Sequence, residues 1–321
     1  MKKVRQETIP TVLKRFAQLL RTEVKNRTLV IPKKYGRGFC KGFIFNEHIR
    51  MLISNYRLRN EILIKNPEVN THGRMIFFKF QNIIQLSEDL SEDNISKSTP
   101  SVLIATSRLN TDEAISIHSN IATINIEVDV NYLNSLIDLP KKSLVLHSLL
   151  ENSQPLLFEQ IIYPSLQKIV DEIINEIVDE TFELFFLRIK AEELICRLLM
   201  ELEKRDERNI YALNGKDIQS IYRIKEKMLA NLETPPVIKD LAVFANMSPS
   251  KLKRLFKQIF GNSIFSYYQN FRMKEAARLL KEEKLSVSEA GYQLGFENLS
   301  HFSRVFEQNI GMKPKKWSML N

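Results

Sequence analysis

Two stretches decide the fold of the last third of this chain: LKRLFKQIFG, residues 252–261, and FSRVFEQNIG, residues 302–311. The second stretch repeats the first at an offset of 50 residues, with arginine, phenylalanine, glutamine and glycine recurring in the same order. In each stretch the apolar residues recur at the spacing of one face of an α-helix. The repetition predicts a duplicated structural unit, in which each copy presents a polar face opposite its buried one.

A second short helical pattern and a tight turn precede each of the repeated stretches. In the first copy, VIKDLAVFA (237–245) precedes Asn246, a residue type that tolerates the left-handed conformation closing many helices. Ser248 is placed to cap the next helix, and Pro249 stands at its first position, where no amide hydrogen is needed.

The second copy has the same layout. There SVSEAGYQL (286–294) ends at Gly295, and Asn298 is the predicted cap of the helix that follows. A helix, a short turn and a second helix form the helix-turn-helix arrangement. The sequence therefore predicts two helix-turn-helix units.

The segment between the two units is SIFSYYQNFRMKEAARLLKEE, residues 263–283, which predicts a helix of about 20 residues and about 30 Å. That length approximates the ~34 Å between successive major-groove segments on one face of a DNA duplex. A major groove about 12 Å wide admits one helix. One polypeptide is thus predicted to contact two neighbouring major-groove segments.

The positive charge of the chain is concentrated in the same region. Residues 216–321 hold 18 lysine and arginine residues against 10 aspartate and glutamate residues, a net +8 out of +9 for the whole chain. Such a basic surface attracts polyanions such as nucleic acids, although it can equally serve solubility.

Residues 217 to 320 resemble the DNA-binding domain of the AraC/XylS family of bacterial transcription regulators. The motifs that carry the resemblance are SPSKLKRLFKQIFG (248–261), SVSEAGYQLGF (286–296), SHFSRVF (300–306) and GMKP (311–314), with Phe265, Tyr268, Arg272, Met273, Ala276, Leu279 and Leu280 between them. One departure is Ala290-Gly291, where the family usually has Ile-Ala. Because glycine costs up to ~1 kcal/mol relative to alanine in a helix, this departure predicts looser packing of the second unit.

The predicted DNA-contacting residues lie on or at the start of the two recognition helices, and the resemblance places base-reading residues at six exposed positions: Ser250, Lys253, Arg254, Ser300, Ser303 and Arg304. The full predicted set is Ser250, Lys251, Lys253, Arg254 and Lys257 in the first unit and Asn298, Ser300, His301, Ser303 and Arg304 in the second. Arg254 and Arg304 are the candidates for direct readout, because arginine can bond both O6 and N7 of guanine. The alternative for each arginine is a phosphate contact or a solvated charge, and Lys251, Lys257 and His301 are predicted to contact the DNA backbone or water.

Two further sets of residues belong to the same region. Lys315 and Lys316 follow the last turn and are predicted either to bind phosphates or to lie on the surface. The aromatic residues stand at packing positions of the helices, which predicts a role in the core rather than in base stacking. They are Phe256, Phe265, Tyr268, Phe296, Phe302, Phe306 and Trp317.

The N-terminal part follows a different pattern. After an amphipathic helix expected over residues 7–24, short segments such as GRMIFFKFQNIIQ (73–85) and ATINIEVDV (122–130) are rich in β-branched and aromatic residues. They predict a small antiparallel barrel or sandwich. Two apolar stripes then predict helices near 165–178 and 181–206, which either pack on their own domain or form a dimer seam.

These patterns predict an α+β chain with an N-terminal domain over 1–210, β-rich over 28–140 and helical over 156–206, and an AraC-type domain over 216–321. The resemblance implies that the β-rich part is a cupin-like barrel for a small-molecule effector, followed by dimerisation helices. It also implies a sequence-specific, double-stranded-DNA-binding transcriptional regulator. This regulator would act as an effector-responsive activator and homodimer that contacts RNA polymerase.

Two alternatives remain open from the sequence: control by a partner protein instead of a ligand, and a cupin-like enzyme domain fused to the DNA-binding domain. An enzyme is not expected, because Lys41 stands where the glycine fingerprint of a dinucleotide site needs its third glycine, and there is no P-loop pattern. Neither a cofactor nor a metal is expected, since the histidines lack ligand spacing and Cys40 and Cys196 are isolated. The absence of a long apolar run predicts a cytoplasmic protein with no membrane partner.

Overall fold

A computed structural model describes residues 9–59, 74–83, 100–109, 120–137, 143–207 and 209–319 of the chain. Contacts between Cα atoms divide the chain into two compact units, Met1–Gly215 and Lys216–Asn321. Among the described residues, no helix combines the length and the apolar character needed to cross a bilayer.

The first unit is built on one antiparallel sheet. Its strands are β1 (Thr28–Val30), β2 (Gly36–Ile44), β3 (Ile49–Leu58), β4 (Met75–Gln81), β5 (Ser101–Thr106), β6 (Asn120–Asp129) and β7 (Leu157–Ile161). They are paired in the order β1-β2-β3-β6-β4-β5-β7. The predicted antiparallel β-rich region and the helical C-terminal region are therefore confirmed as an α+β arrangement.

Alternation along the strands determines which face of the sheet is buried. In β4, Ile76, Phe78 and Phe80 are fully buried, while the residues between them are only half-buried. This period of two puts the apolar side chains on one face of the sheet, where they form the main core together with the helices that follow.

The helices of the first unit are α1 (Thr11–Leu19), α2 (Val130–Leu136), α3 (Leu144–Glu151), α4 (Pro164–Asn175) and α5 (Glu180–Glu203). The last two confirm the helices predicted from the apolar stripes. Helix α4 begins with a proline, and α5 is capped by Asp179, whose carboxylate accepts a hydrogen bond from the amide of Thr181 at 2.9 Å. On the opposite face of the sheet, α1 packs its Leu13 and Phe16 against β1 to β3.

Three details differ from the sequence-based expectations. Strand β7 lies inside the span 156–206, which was predicted to be helical, because its five residues (LFEQI) are too few for their period to distinguish a strand from a helix. Helix α2 lies inside the β-rich span 28–140, where Asp129 caps it by accepting hydrogen bonds from two backbone amides. Among the described residues, β1 and β7 are the two ends of the pairing order, so closure into a barrel is not shown.

The second compact unit, Lys216–Asn321, has only helices and the turns between them among its described residues. Its helices are α6 (Gly215–Leu229), α7 (Ile238–Phe244), α8 (Pro249–Phe260), α9 (Ile264–Lys281), α10 (Val287–Gln293), α11 (Leu299–Ile310) and α12 (Pro314–Ser318). Helix α9 is the predicted linker, and its 18 residues correspond to about 27 Å. It packs Met273, Ala276 and Leu280 against Phe302 and Phe306 of α11.

Candidate nucleic-acid interface

Helices α7 and α8 form the first helix-turn-helix unit. Asn246 adopts a left-handed conformation with φ of 52° in the turn, as predicted. The hydroxyl of Ser248 accepts a hydrogen bond from the amide of Lys251 at 3.2 Å and so caps α8, which has Pro249 in its first turn. Gly261 closes α8 in the left-handed region with φ of 71°.

Helices α10 and α11 form the second helix-turn-helix unit, whose helices begin and end with similar capping residues. Ser286 and Glu289 make a reciprocal capping box at the start of α10. The side chain of Asn298 accepts a hydrogen bond from the amide of His301 at 3.0 Å, which confirms it as the cap of α11. Gly311 ends α11 with φ of 85°, matching Gly261 in the first unit.

Each recognition helix buries one face and exposes the other. Helix α8 buries Leu252, Leu255 and Phe256, and α11 buries Phe302 and Phe306. The predicted contact residues that lie exposed are Ser250, Lys253, Arg254 and Lys257 in α8, and Ser300, His301 and Arg304 in α11. The two arginines occupy equivalent exposed places, which suits contacts with base edges. The DNA contacts themselves stay predictions.

Several of the predicted contact residues also have neighbours within the C-terminal unit. The ammonium of Lys251 lies 2.8 Å from a carboxylate oxygen of Asp217 in α6 and is only partly exposed. The side chain of Asn298 caps α11, and the ring of His301 packs edge-on against Phe296 with centroids 5.7 Å apart. Ser303 is half-buried. Lys251 and His301 thus have contacts within the unit that the sequence did not predict, whereas the cap at Asn298 was predicted.

The two exposed faces differ in charge. At the offset of 50 residues, Lys253 corresponds to Ser303 and Lys257 corresponds to Glu307, which is exposed. The cations of the second unit lie mainly after α11, where Lys315 and Lys316 are exposed on α12. The first unit thus carries its cations on the recognition helix itself. Glu307 was missed as a part of this surface, although the offset marks its position.

The aromatic residues are mostly core, as predicted. Phe256, Tyr268, Phe302 and Phe306 are fully buried, and the indole of Trp317 donates a hydrogen bond to the carbonyl of Ala277 at 2.9 Å. Phe296 is also buried. Phe265 is an exception to the predicted core set: it is 56% exposed, because its position in the first turn of α9 points away from the packed face.

The expectation of looser packing at Gly291 is wrong. A Cβ atom at this position would lie 2.8 Å from a methyl carbon of Leu299 and 3.3 Å from the ring of Phe302. The absence of a side chain therefore lets α10 and α11 approach closely. Ala290 beside it is fully buried.

The described part of the chain contains no cluster of three or more histidine, cysteine, aspartate or glutamate side chains that could hold a metal ion. Cys40 is buried beneath α1, and this burial raises the pKa of its thiol to about 12. Cys196 is exposed on α5.

Comparison with known proteins finds similarity to the C-terminal part of the chain. Residues 241–319 match a family model described as "Helix-turn-helix domain". The chain is 32% identical over 108 residues to the transcriptional regulator GbdR of Pseudomonas aeruginosa, a match that covers 34% of this chain and 29% of the relative. It is 28% identical over 155 residues to the transcriptional activator RhaR of Escherichia coli, covering 47% and 54% respectively.

Among solved structures, a transcriptional regulator of Chromobacterium violaceum with an AraC-type DNA-binding domain is 28% identical. That match covers 33% of this chain and 94% of the other, with a TM-score of 0.31. The chain spans about a third to a half of the length of the two regulators it matches in sequence.

Proposed function

We propose that this chain, which belongs to the AraC family by its C-terminal helix-turn-helix domain, is a sequence-specific DNA-binding regulator of transcription. One subunit would contact two adjacent major-groove segments. The observation that carries the proposal is the pair of equivalent recognition helices, α8 and α11, joined by the continuous helix α9. Each recognition helix exposes an arginine seven residues before its closing glycine.

The first test uses the full-length chain. Double-stranded DNA selected from a random pool at moderate salt should converge on a site with two conserved segments about one helical turn apart. The double variant Arg254→Ala, Arg304→Ala should lose this convergence while keeping the thermal melt of the wild type. A wild-type chain that enriches no sequence over random competitor overturns the proposal.

The proposed homodimer rests on the two apolar faces of α5. One face, with Leu187, Ala191, Leu194 and Leu198, is buried in the core. At about 100° per residue, a second apolar face lies opposite it. Its residues are Phe182, Phe185, Ile189 and Met200, which are 45–65% exposed. A helix that is apolar on two opposite sides is typical of a helix with partners on both, and a second copy of α5 supplies the missing one.

Sedimentation of the full-length chain tests the dimer. At micromolar concentration the wild type should sediment as a dimer, and Phe185→Glu with Ile189→Glu should shift it to a monomer. The control is Leu19→Glu, which places a glutamate at an exposed leucine of α1, on the opposite face of the sheet from α5. A monomeric wild type, on and off DNA, contradicts this part of the proposal.

Effector binding is proposed for the polar face of the sheet. Ser54, Thr123, Gln81 and Ser101 form one row across β3, β6, β4 and β5. The amide of Gln81 donates to the Ser101 hydroxyl at 3.0 Å, and the next row holds Asn125 beside Lys79. This concentration of hydroxyl, amide and ammonium groups suits a small polar ligand.

A metabolite library with thermal stabilisation as the readout tests the effector. A stabilising compound should lose its effect in Asn125→Ala but keep it in Asn209→Ala, an exposed position outside the sheet. A library without any stabilising compound, together with capture of a specific protein that alters DNA binding, would favour control by a partner protein. Activation through RNA polymerase belongs to the same proposal and is tested by transcription in vitro from a selected site.

A further inference from the structure

The loop before the first helix-turn-helix unit lies directly against the turn of the second unit. Gly295 in that turn has φ of 71°, and a Cβ atom at this position would overlap the backbone carbonyl of Glu233. Asn231 holds the loop in shape, because its side chain accepts hydrogen bonds from the amides of Glu233 and Thr234 at 2.9 and 3.1 Å. The loop and the turn of the second helix-turn-helix unit therefore touch through backbone atoms. Side-chain rearrangement can absorb little movement of one segment against the other at such a contact.

One side chain of the linker helix bonds both segments. Arg272 of α9 is only 4% exposed, and its Nε donates to the carbonyl of Leu294 at 2.9 Å. Its Nη2 donates to the same carbonyl and reaches the carbonyl of Glu233 at 3.5 Å. One guanidinium thus links the loop before the first unit to the turn of the second.

Aromatic neighbours hold the guanidinium in place. Its central carbon lies 3.9 Å from the centroid of the Phe296 ring and 5.7 Å from that of Tyr268. The hydroxyl of Tyr268 donates to the carbonyl of Leu232 at 2.8 Å, so a second group of α9 holds the same loop. Burial lowers the pKa of Arg272, but a guanidinium remains charged.

We propose that Arg272 is a positioning residue that sets the relative placement of the two recognition helices, and through it the spacing between the two DNA segments that one subunit accepts. This inference rests on the proposed DNA-binding function. Helix α9 fixes the length between the two helix-turn-helix units and packs against the second one through Met273, Ala276 and Leu280. Arg272 adds a direct polar connection between the second unit and the loop before the first, because its planar fork bonds carbonyls of both, which the single point charge of a lysine does not reproduce.

The test compares base preference with spacing preference, using full-length protein. A DNA library keeps the two selected segments constant and varies the distance between them by one or two base pairs in either direction. The wild type should prefer one distance. Arg272→Lys should lose about tenfold of the discrimination against a site lengthened by one base pair, as expected when a charge-assisted hydrogen bond is lost. Its base preference within each segment should stay unchanged.

Two further variants complete the design. Arg278→Lys is the matched control, because Arg278 lies on the same helix but pairs with Glu275, Glu282 and Glu283 at the surface. Tyr268→Phe removes only the hydrogen bond to Leu232 and should relax the spacing preference in the same direction. If Arg272→Lys does not fold, Tyr268→Phe tests the inference in its place.

A folded Arg272→Lys protein with the spacing preference of the wild type overturns the inference, and so does an unchanged preference in Tyr268→Phe should the lysine variant fail to fold. Both results leave the proposed function intact, since the wild type still selects its site. A wild type that selects no site at all is the distinct result that removes the proposed function.

Discussion

Gly291 of α10 lies directly against Leu299 of α11, with only 2.8 Å between a methyl carbon of Leu299 and the place where a Cβ atom of residue 291 would stand. Alanine at position 291 would gain up to ~1 kcal/mol of helix propensity but would overlap this methyl group. Leu299 is half-buried, so its truncation can relieve the overlap.

We therefore expect Gly291→Ala to be more favourable by about 1 kcal/mol in a Leu299→Ala background than in the wild type. The measurement is a double-mutant cycle of the free energy of unfolding in urea. Additive effects of the two substitutions would show that the helices do not approach as closely as described.

Lys251 should contribute to stability through Asp217. The pair is partly exposed, so Lys251→Met and Asp217→Asn should each lower the free energy of unfolding by about 0.2–1 kcal/mol. The double variant should lower the free energy of unfolding by no more than about the larger single effect, because all three variants lose the same interaction. If the double variant instead shows the sum of two independent effects, the ion pair does not explain the role of Lys251.

Arg304 is expected to determine base preference. Arg304→Ala should lower affinity for the selected site by about 1–3 kcal/mol and relax the preference at one position of the second segment. Lys316→Ala is the comparison, since a phosphate contact should weaken binding to all sequences alike. Identical selected sequences for Arg304→Ala and the wild type would contradict direct readout by this arginine.

Glu307 should lower the affinity of the second helix-turn-helix unit for the DNA backbone. Because Glu307 takes the place that Lys257 has in the first unit, Glu307→Lys should raise affinity at low salt and steepen the salt dependence by about one phosphate contact. Glu226→Lys makes the same charge change at an exposed position of α6. Equal effects of the two substitutions would mean that only net charge matters.

The helix-turn-helix units could be predicted in detail because their determinants are local. The caps at Ser248 and Asn298 and the left-handed Asn246 depend on residues within four positions along the chain. The duplication also supplied two independent examples of the same pattern.

Features that depend on distant residues could not be predicted from the sequence. Lys251 and Asp217 are 34 residues apart, and nothing in their local patterns couples them. Arg272 could be recognised as part of a family motif, but its bond to Leu294 depends on how α9 and α10 pack. Strand β7 was missed because its five residues, LFEQI, are too few to show a decisive period.

The difference in charge between the two exposed faces has a consequence for promoters. Because α8 and α11 carry different charges on their exposed faces, the two ends of the bound DNA-binding unit are distinguishable. A single copy of its site is then asymmetric and has a direction. Inverting that copy would reverse the orientation of the bound subunit on the promoter.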